Sequence, residues 1–145
     1  MKTYILLLAV TTLWFPASGA DRHRGSSEVP MQESTVGAIR YKRAQWDKVS
    51  VGNCVLSDGI LTIGSDGSVK FDATTWTNHT NTGAVWHAGI LLKDKDGVVQ
   101  EYGGHYDSRR MNDGPPPPHF HIGGTSRYDA ARFDLITRAT LNSEC

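Results

Sequence analysis

The chain has 145 residues, 15 Lys and Arg against 15 Asp and Glu, and 39% hydrophobic residues. This balance argues against nucleic acid as the main partner, because holding a phosphate backbone needs a surplus of positive charge. After residue 20 no segment approaches the ~18 consecutive apolar residues of a membrane-crossing helix.

Residues 1–20 have the three parts of a secretory signal. Lys2 supplies the positive start, Tyr4 to Phe15 the apolar run, and Ala17-Ser18-Gly19-Ala20 the small-residue cleavage site. The apolar run is too short to cross a bilayer of about 30 Å as a helix. The expected location is therefore secreted, either extracellular or periplasmic. Residues 21–43 are polar and interrupted by Val29-Pro30, and few of them can bury apolar surface, so a flexible leader is expected there.

From residue 44 to 145 short apolar runs alternate with Asp-Gly pairs, the texture of a single β domain. Asp58-Gly59, Asp66-Gly67 and Asp96-Gly97 each predict a hairpin turn, since tight primed turns need the positive φ that glycine accepts. Ser68 to Ala73 alternates strictly, with Val69, Phe71 and Ala73 on one face and Lys70 and Asp72 on the other. Ala84 to Leu92 is longer and predicts a central strand, with Trp86 on its core face and His87 on the opposite one. Leu91-Leu92 then pairs with Val98-Val99 as a hairpin. Residues 103–118 hold two adjacent glycines, Asn112-Asp113-Gly114 and four consecutive prolines, which predicts a long irregular loop. Beyond it come a strand from Phe120, one helical turn over Tyr128 to Arg132, and a closing strand over Phe133 to Leu141.

The expected class is all-β, a small antiparallel meander barrel or sandwich of about seven to eight strands. Cys54 and Cys145, the two cysteines, pair in an oxidising compartment and close the domain with one disulfide.

Gly52-Asn53-Cys54, Leu61 to Ala73, Trp86, Lys93 to Gly97, Tyr128 to Phe133 and Cys145 together resemble a family of small secreted bacterial proteins that is functionally uncharacterised. The resemblance spans Trp46 to Cys145 and departs at the insertion over residues 103–118. It implies a secreted β domain and no particular activity.

Three groups of residues are candidates for chemistry. His119 and His121 are two apart, so both rings leave one face of a strand, while His105 and Asp107 stand at the other end of the proline-rich loop. Folding that loop back gathers a mixed imidazole and carboxylate set suited to zinc or copper. Trp76 and Tyr106 offer aromatic faces for stacking on a ligand. A hydrolase or toxin is the third reading, but no nucleophile elbow is present and Cys54 is committed to the disulfide. Asn78-His79-Thr80 fits the N-glycosylation sequon. With no catalytic motif found, the leading expectation is a non-enzymatic domain that binds an extracellular protein, a carbohydrate or a small ligand through its loops.

Overall fold

The computed structural model describes residues 22–78, 83–112 and 114–145. The predicted signal over residues 1–20 lies outside the described residues, as do His79 and Thr80 of the sequon.

Among the described residues, nine strands form two antiparallel sheets: β1 (Arg24–Pro30), β2 (Gln32–Val36), β3 (Ile39–Val51), β4 (Cys54–Gly64), β5 (Ser68–Thr77), β6 (His87–Lys93), β7 (Val99–Asp107), β8 (Phe120–Arg127) and β9 (Arg138–Glu144). One sheet has the order β1-β9-β6-β7 and the other β2-β3-β4-β5-β8. Strands β2 to β5 form the expected meander; β8 and β9 return to complete the sheets.

The two sheets face each other across a core that includes Trp46, Leu56, Phe71, Trp86, Ile90 and Leu141, all at most 2% exposed. Alternation explains which side chains enter it, since Val69, Phe71 and Ala73 are buried as their two-residue period predicts. Ala88, Ile90 and Leu92 do the same from β6, which turns His87, Gly89, Leu91 and Lys93 outward.

Side chains also join the sheets along their edges. The Trp46 indole N–H on β3 donates to the Ser27 carbonyl on β1 at 3.1 Å. On the other side, Tyr106 Oη of β7 lies 3.3 Å from Ser126 Oγ of β8, which donates to the Gly103 carbonyl at 3.0 Å. Close approach between β5 and β8 depends on Gly123, whose φ is 151° and whose place opposite Asp72 leaves no room for a Cβ beside the Phe71 backbone.

Cys54 and Cys145 are bonded, with their Cα atoms 6.3 Å apart. The pairing expected from the sequence is thereby shown, and it ties the end of β9 to the start of β4 in the opposite sheet.

Four expectations need correction. The leader predicted over residues 21–43 is structured: β1 pairs with β9 from Arg24 to Pro30, and β2 with β3. These strands lie at sheet edges, where main-chain hydrogen bonds provide the order and only Val29 and Met31 pack against the core. Asp58-Gly59 is a bulge inside β4 and not a hairpin turn; Asp58 takes φ 53° there and the register with β5 shifts. The loop predicted over residues 103–118 begins later, because Gly103 to Asp107 belong to β7. The closing strand starts at Arg138, not Phe133.

Phe133 and Ile136 instead bury their side chains from the segment after a single 3-10 turn, Ala130–Arg132, capped by Asp129. Lys42 secures that segment. Its ammonium, almost wholly buried, donates to the carbonyls of Phe133 at 2.7 Å and Ile136 at 2.6 Å. Burial lowers the Lys42 pKa, while Glu33 and Asp134 oppose the shift.

The link between the sheets gives a direct test of the disulfide. Changing Cys54 and Cys145 together to serine is expected to cost about 2–5 kcal/mol, measured as a lower midpoint in urea. An unchanged midpoint would show that core packing and hydrogen bonding hold β9 in place without the covalent link.

Candidate functional site

The outer face of the four-stranded sheet is a lattice whose rows follow from strand register. One row runs Arg24, Glu144, His87, Asp107, and the next runs Ser26, Asn142, Gly89, His105. The bulge at Gly103 shifts the register of β7, so that Tyr102 stands opposite Leu91 in the row beyond.

Asp107 lies directly across the β6–β7 ladder from His87, and His105 lies two residues along on the same face. The Oδ1 atom of Asp107 is 2.7 Å from His87 Nδ1 and 2.8 Å from His105 Nε2. The two imidazoles are nearly parallel, at 25°, with centroids 6.1 Å apart. One donor atom from each of the three residues lies within 4.8 Å of the other two. Desolvation pushes the Asp107 carboxyl up, but the hydrogen bond from His87 and the charges of His105 and His87 outweigh it and hold it below its ordinary range. Asp107 is therefore an anion at neutral pH, the state a metal ligand requires.

Beside this trio the sheet surface dips. Gly89 has no side chain, and the recess around it has a volume of about 600 Å³, bordered by His87, His105, Tyr102, Asn142, Ser26 and Arg24 among others. Its rim is charged: Arg24 and Glu144 line it and pair at 2.9 Å, and Arg22 reaches Glu144 from beyond it at 3.0 Å.

The other predicted ligands lie elsewhere. His121 projects from β8 in the five-stranded sheet, 3.1 Å from Asp72 on β5. His119 stacks on Trp76, with ring centroids 4.4 Å apart and planes at 14°. The expected set of His105, Asp107, His119 and His121 thus divides between two sheets, because the proline-rich segment leads from one sheet to the other and does not fold back.

His87 replaces the two missing imidazoles. Alternation along β6 already placed it outward, but its neighbours on that face depend on the register of β7, which the sequence did not reveal. Tyr106 is not a ligand-stacking residue. It is buried, packs against Phe71 with centroids 5.2 Å apart, and its hydroxyl donates to the Gly103 carbonyl. Trp76 does face outward, with its ring partly covered by His119.

A family model matches residues 60–145. The chain belongs to a family of unknown function, DUF6294. No curated protein and no solved structure matches it. The matched segment starts inside β4 and contains His87, His105, Asp107, Gly89, Tyr102 and Asn142, whereas Arg24 and Ser26 on β1 precede it. The uncharacterised family expected from the residue pattern is consistent with this match, whose bounds enclose the proline-rich segment.

Further along the same face, Glu28 accepts from Lys93 at 2.9 Å, Arg138 at 2.9 Å and Thr140 at 3.0 Å, joining β1, β6 and β9. The Lys93 hydrogen bond, followed by those of Arg138 and Thr140, lowers the Glu28 pKa from 4.5 to about 2. A depressed carboxyl pKa contributes stability above the unfolded value, and that contribution disappears as pH falls through the folded value. Glu28→Gln is therefore expected to melt below the wild type at pH 7, with the gap closing between pH 4.5 and about 2. Melting curves across that interval test it; a gap that stays constant in acid would show that Glu28 stabilises by something other than its charge.

Proposed function

We propose that this chain is an exported β domain that binds a divalent transition metal, zinc or copper, at His87, His105 and Asp107. One observation carries the reading: three donor atoms of the types these ions prefer converge on the outer face of two hydrogen-bonded strands. An ion with ligands at about 2.0–2.1 Å spaces neighbouring donors by roughly 2.8–3.4 Å, the lower end octahedral and the upper tetrahedral. The two Asp107 contacts of 2.7 Å and 2.8 Å are already close to that spacing, and the two imidazole donors, within 4.8 Å of each other, close the remainder by side-chain rotation. Strand backbones set the positions, which limits the entropy lost when the ion binds.

Export is part of the proposal. A disulfide is compatible with an oxidising compartment, and among the described residues no helix is long and apolar enough to cross a membrane. In that setting a surface imidazole pair meets metal ions directly.

A second reading, binding of an extracellular partner through the proline-rich segment, has its own support on the opposite sheet. Gly114, Pro115 and Pro117 border a recess of about 680 Å³ together with Lys48, Asn53 and Asn78. Val55 lines the same recess and is only 5% exposed, although its neighbour Leu56 fills the core from the other face of β4. The segment is therefore laid against the sheet, and a ligand there would touch both.

Titration of the metal-stripped full chain with zinc and copper tests the metal reading by calorimetry. His87→Ala, His105→Ala and Asp107→Ala are each expected to weaken binding by about 10–100-fold or more. His119→Ala with His121→Ala is expected to leave it unchanged, and binding should fade in acid as protons compete for the imidazoles. No binding at micromolar metal, or loss only in the His119 and His121 variant, would defeat the proposal.

A further inference from the structure

We infer that the ion held by His87, His105 and Asp107 completes its coordination with a small chelating carboxylate seated in the Gly89 recess, so that the site takes up metal and organic acid together. This inference rests on the metal reading above and specifies the remaining ligand.

Ligand count gives the first reason. All three protein donors come from one side, the surface of the β6–β7 ladder, while zinc takes at least four ligands and copper commonly more. The positions left over point away from the strands. Both imidazoles border the recess, so part of the ion's open side faces a surface dip lined by side chains.

Charge gives the second. Two neutral imidazoles and one carboxylate leave a divalent ion with a net charge of about +1. Arg24 and Glu144, which line the recess and pair at 2.9 Å, offset one another, so the excess charge of the ion is left unbalanced. An anion is the ligand that such a site favours.

Shape and hydrogen bonding give the third. Gly89 occupies the place where a side chain would fill the dip; a Cβ there would have Tyr102 Oη at 3.6 Å and His105 Nδ1 at 3.9 Å, ordinary contacts with no clash. Nothing in the backbone demands glycine at this position, because its φ is not in the left-handed region. The empty volume is thus a property of residue choice. Tyr102 is half exposed, and with the Asn142 amide and the Ser26 hydroxyl it offers donors around the dip. A carboxylate chelate can place one oxygen on the metal and turn another towards these donors. About 600 Å³ of open recess is more than a molecule of a few carbons needs, so such a molecule enters without rearrangement of the walls.

The test uses the full chain loaded with cobalt(II), whose visible absorption reports coordination, and oxalate as the probe. Oxalate is expected to change the cobalt spectrum saturably, with the metal still on the protein after gel filtration. Acetate, which lacks the second carboxylate, should need at least about tenfold more. Gly89→Val fills the dip and should weaken the oxalate response at least about tenfold while cobalt affinity stays within about twofold. Asn142→Leu, on the neighbouring strand, fills it from the other side and serves if the valine variant does not fold. Cobalt bound with a spectrum that oxalate leaves unchanged overturns the inference and spares the metal site. Oxalate that merely strips cobalt from the protein overturns it too, as does a response equal in wild type and both variants. Failure to bind cobalt at all defeats the metal reading itself.

Discussion

Strand β9 is hydrogen-bonded along both edges, to β1 and to β6, and Cys145 beyond it is bonded to Cys54 in the opposite sheet. Each sheet alone exposes one apolar face and cannot be stable in water. The disulfide adds a covalent tie to what the shared core already holds. It also shortens the search the unfolded chain must make, because residues separated by 91 positions are joined. His23 extends the same seam by exchanging two main-chain hydrogen bonds of 3.0 Å with Cys145.

The outer faces take their character from this arrangement. On the four-stranded sheet, β9 sets Glu144, Asn142 and Thr140 between the β1 and β6 side chains, so that segments distant in sequence share each row and Arg24, Glu144 and Asp107 place their charges in one of them. Without β9, the Glu28 contacts to Lys93 and Arg138 would not exist, and the recess at Gly89 would lose one wall. The five-stranded sheet is covered in part by the proline-rich segment, which Met111 anchors: its side chain is fully buried and its main chain pairs with Ala84. Prolines bring little conformational freedom to such a covering, so holding it against the sheet costs little entropy.

Where local pattern decides a feature, sequence reasoning found it. The alternation of Val69, Phe71 and Ala73, the outward placement of His87, the single helical turn before Phe133 and the Asp66-Gly67 turn are all set by residues within a few positions of one another. Edge strands escaped notice because β1 and β2 have too few apolar residues to leave a period-two signal; their order comes from ladders with β9 and β3. The bulges at Asp58 and Gly103 were missed for a related reason, since an Asp-Gly or Gly-Gly pair serves a turn or a bulge equally well.

The amino-acid sequence by itself determined the class of fold, the sulfur pairing and the face on which most core residues lie, because side-chain periodicity and a lone pair of cysteines are local or arithmetic facts. Only the tertiary structure decided which imidazoles share Asp107. That depends on register, and moving a strand by one residue turns every side chain to the opposite face. His105 and Asp107 were within reach of sequence reasoning as neighbours two apart; His87 joined them, and His119 and His121 left them, through the pairing of strands that no local pattern encodes.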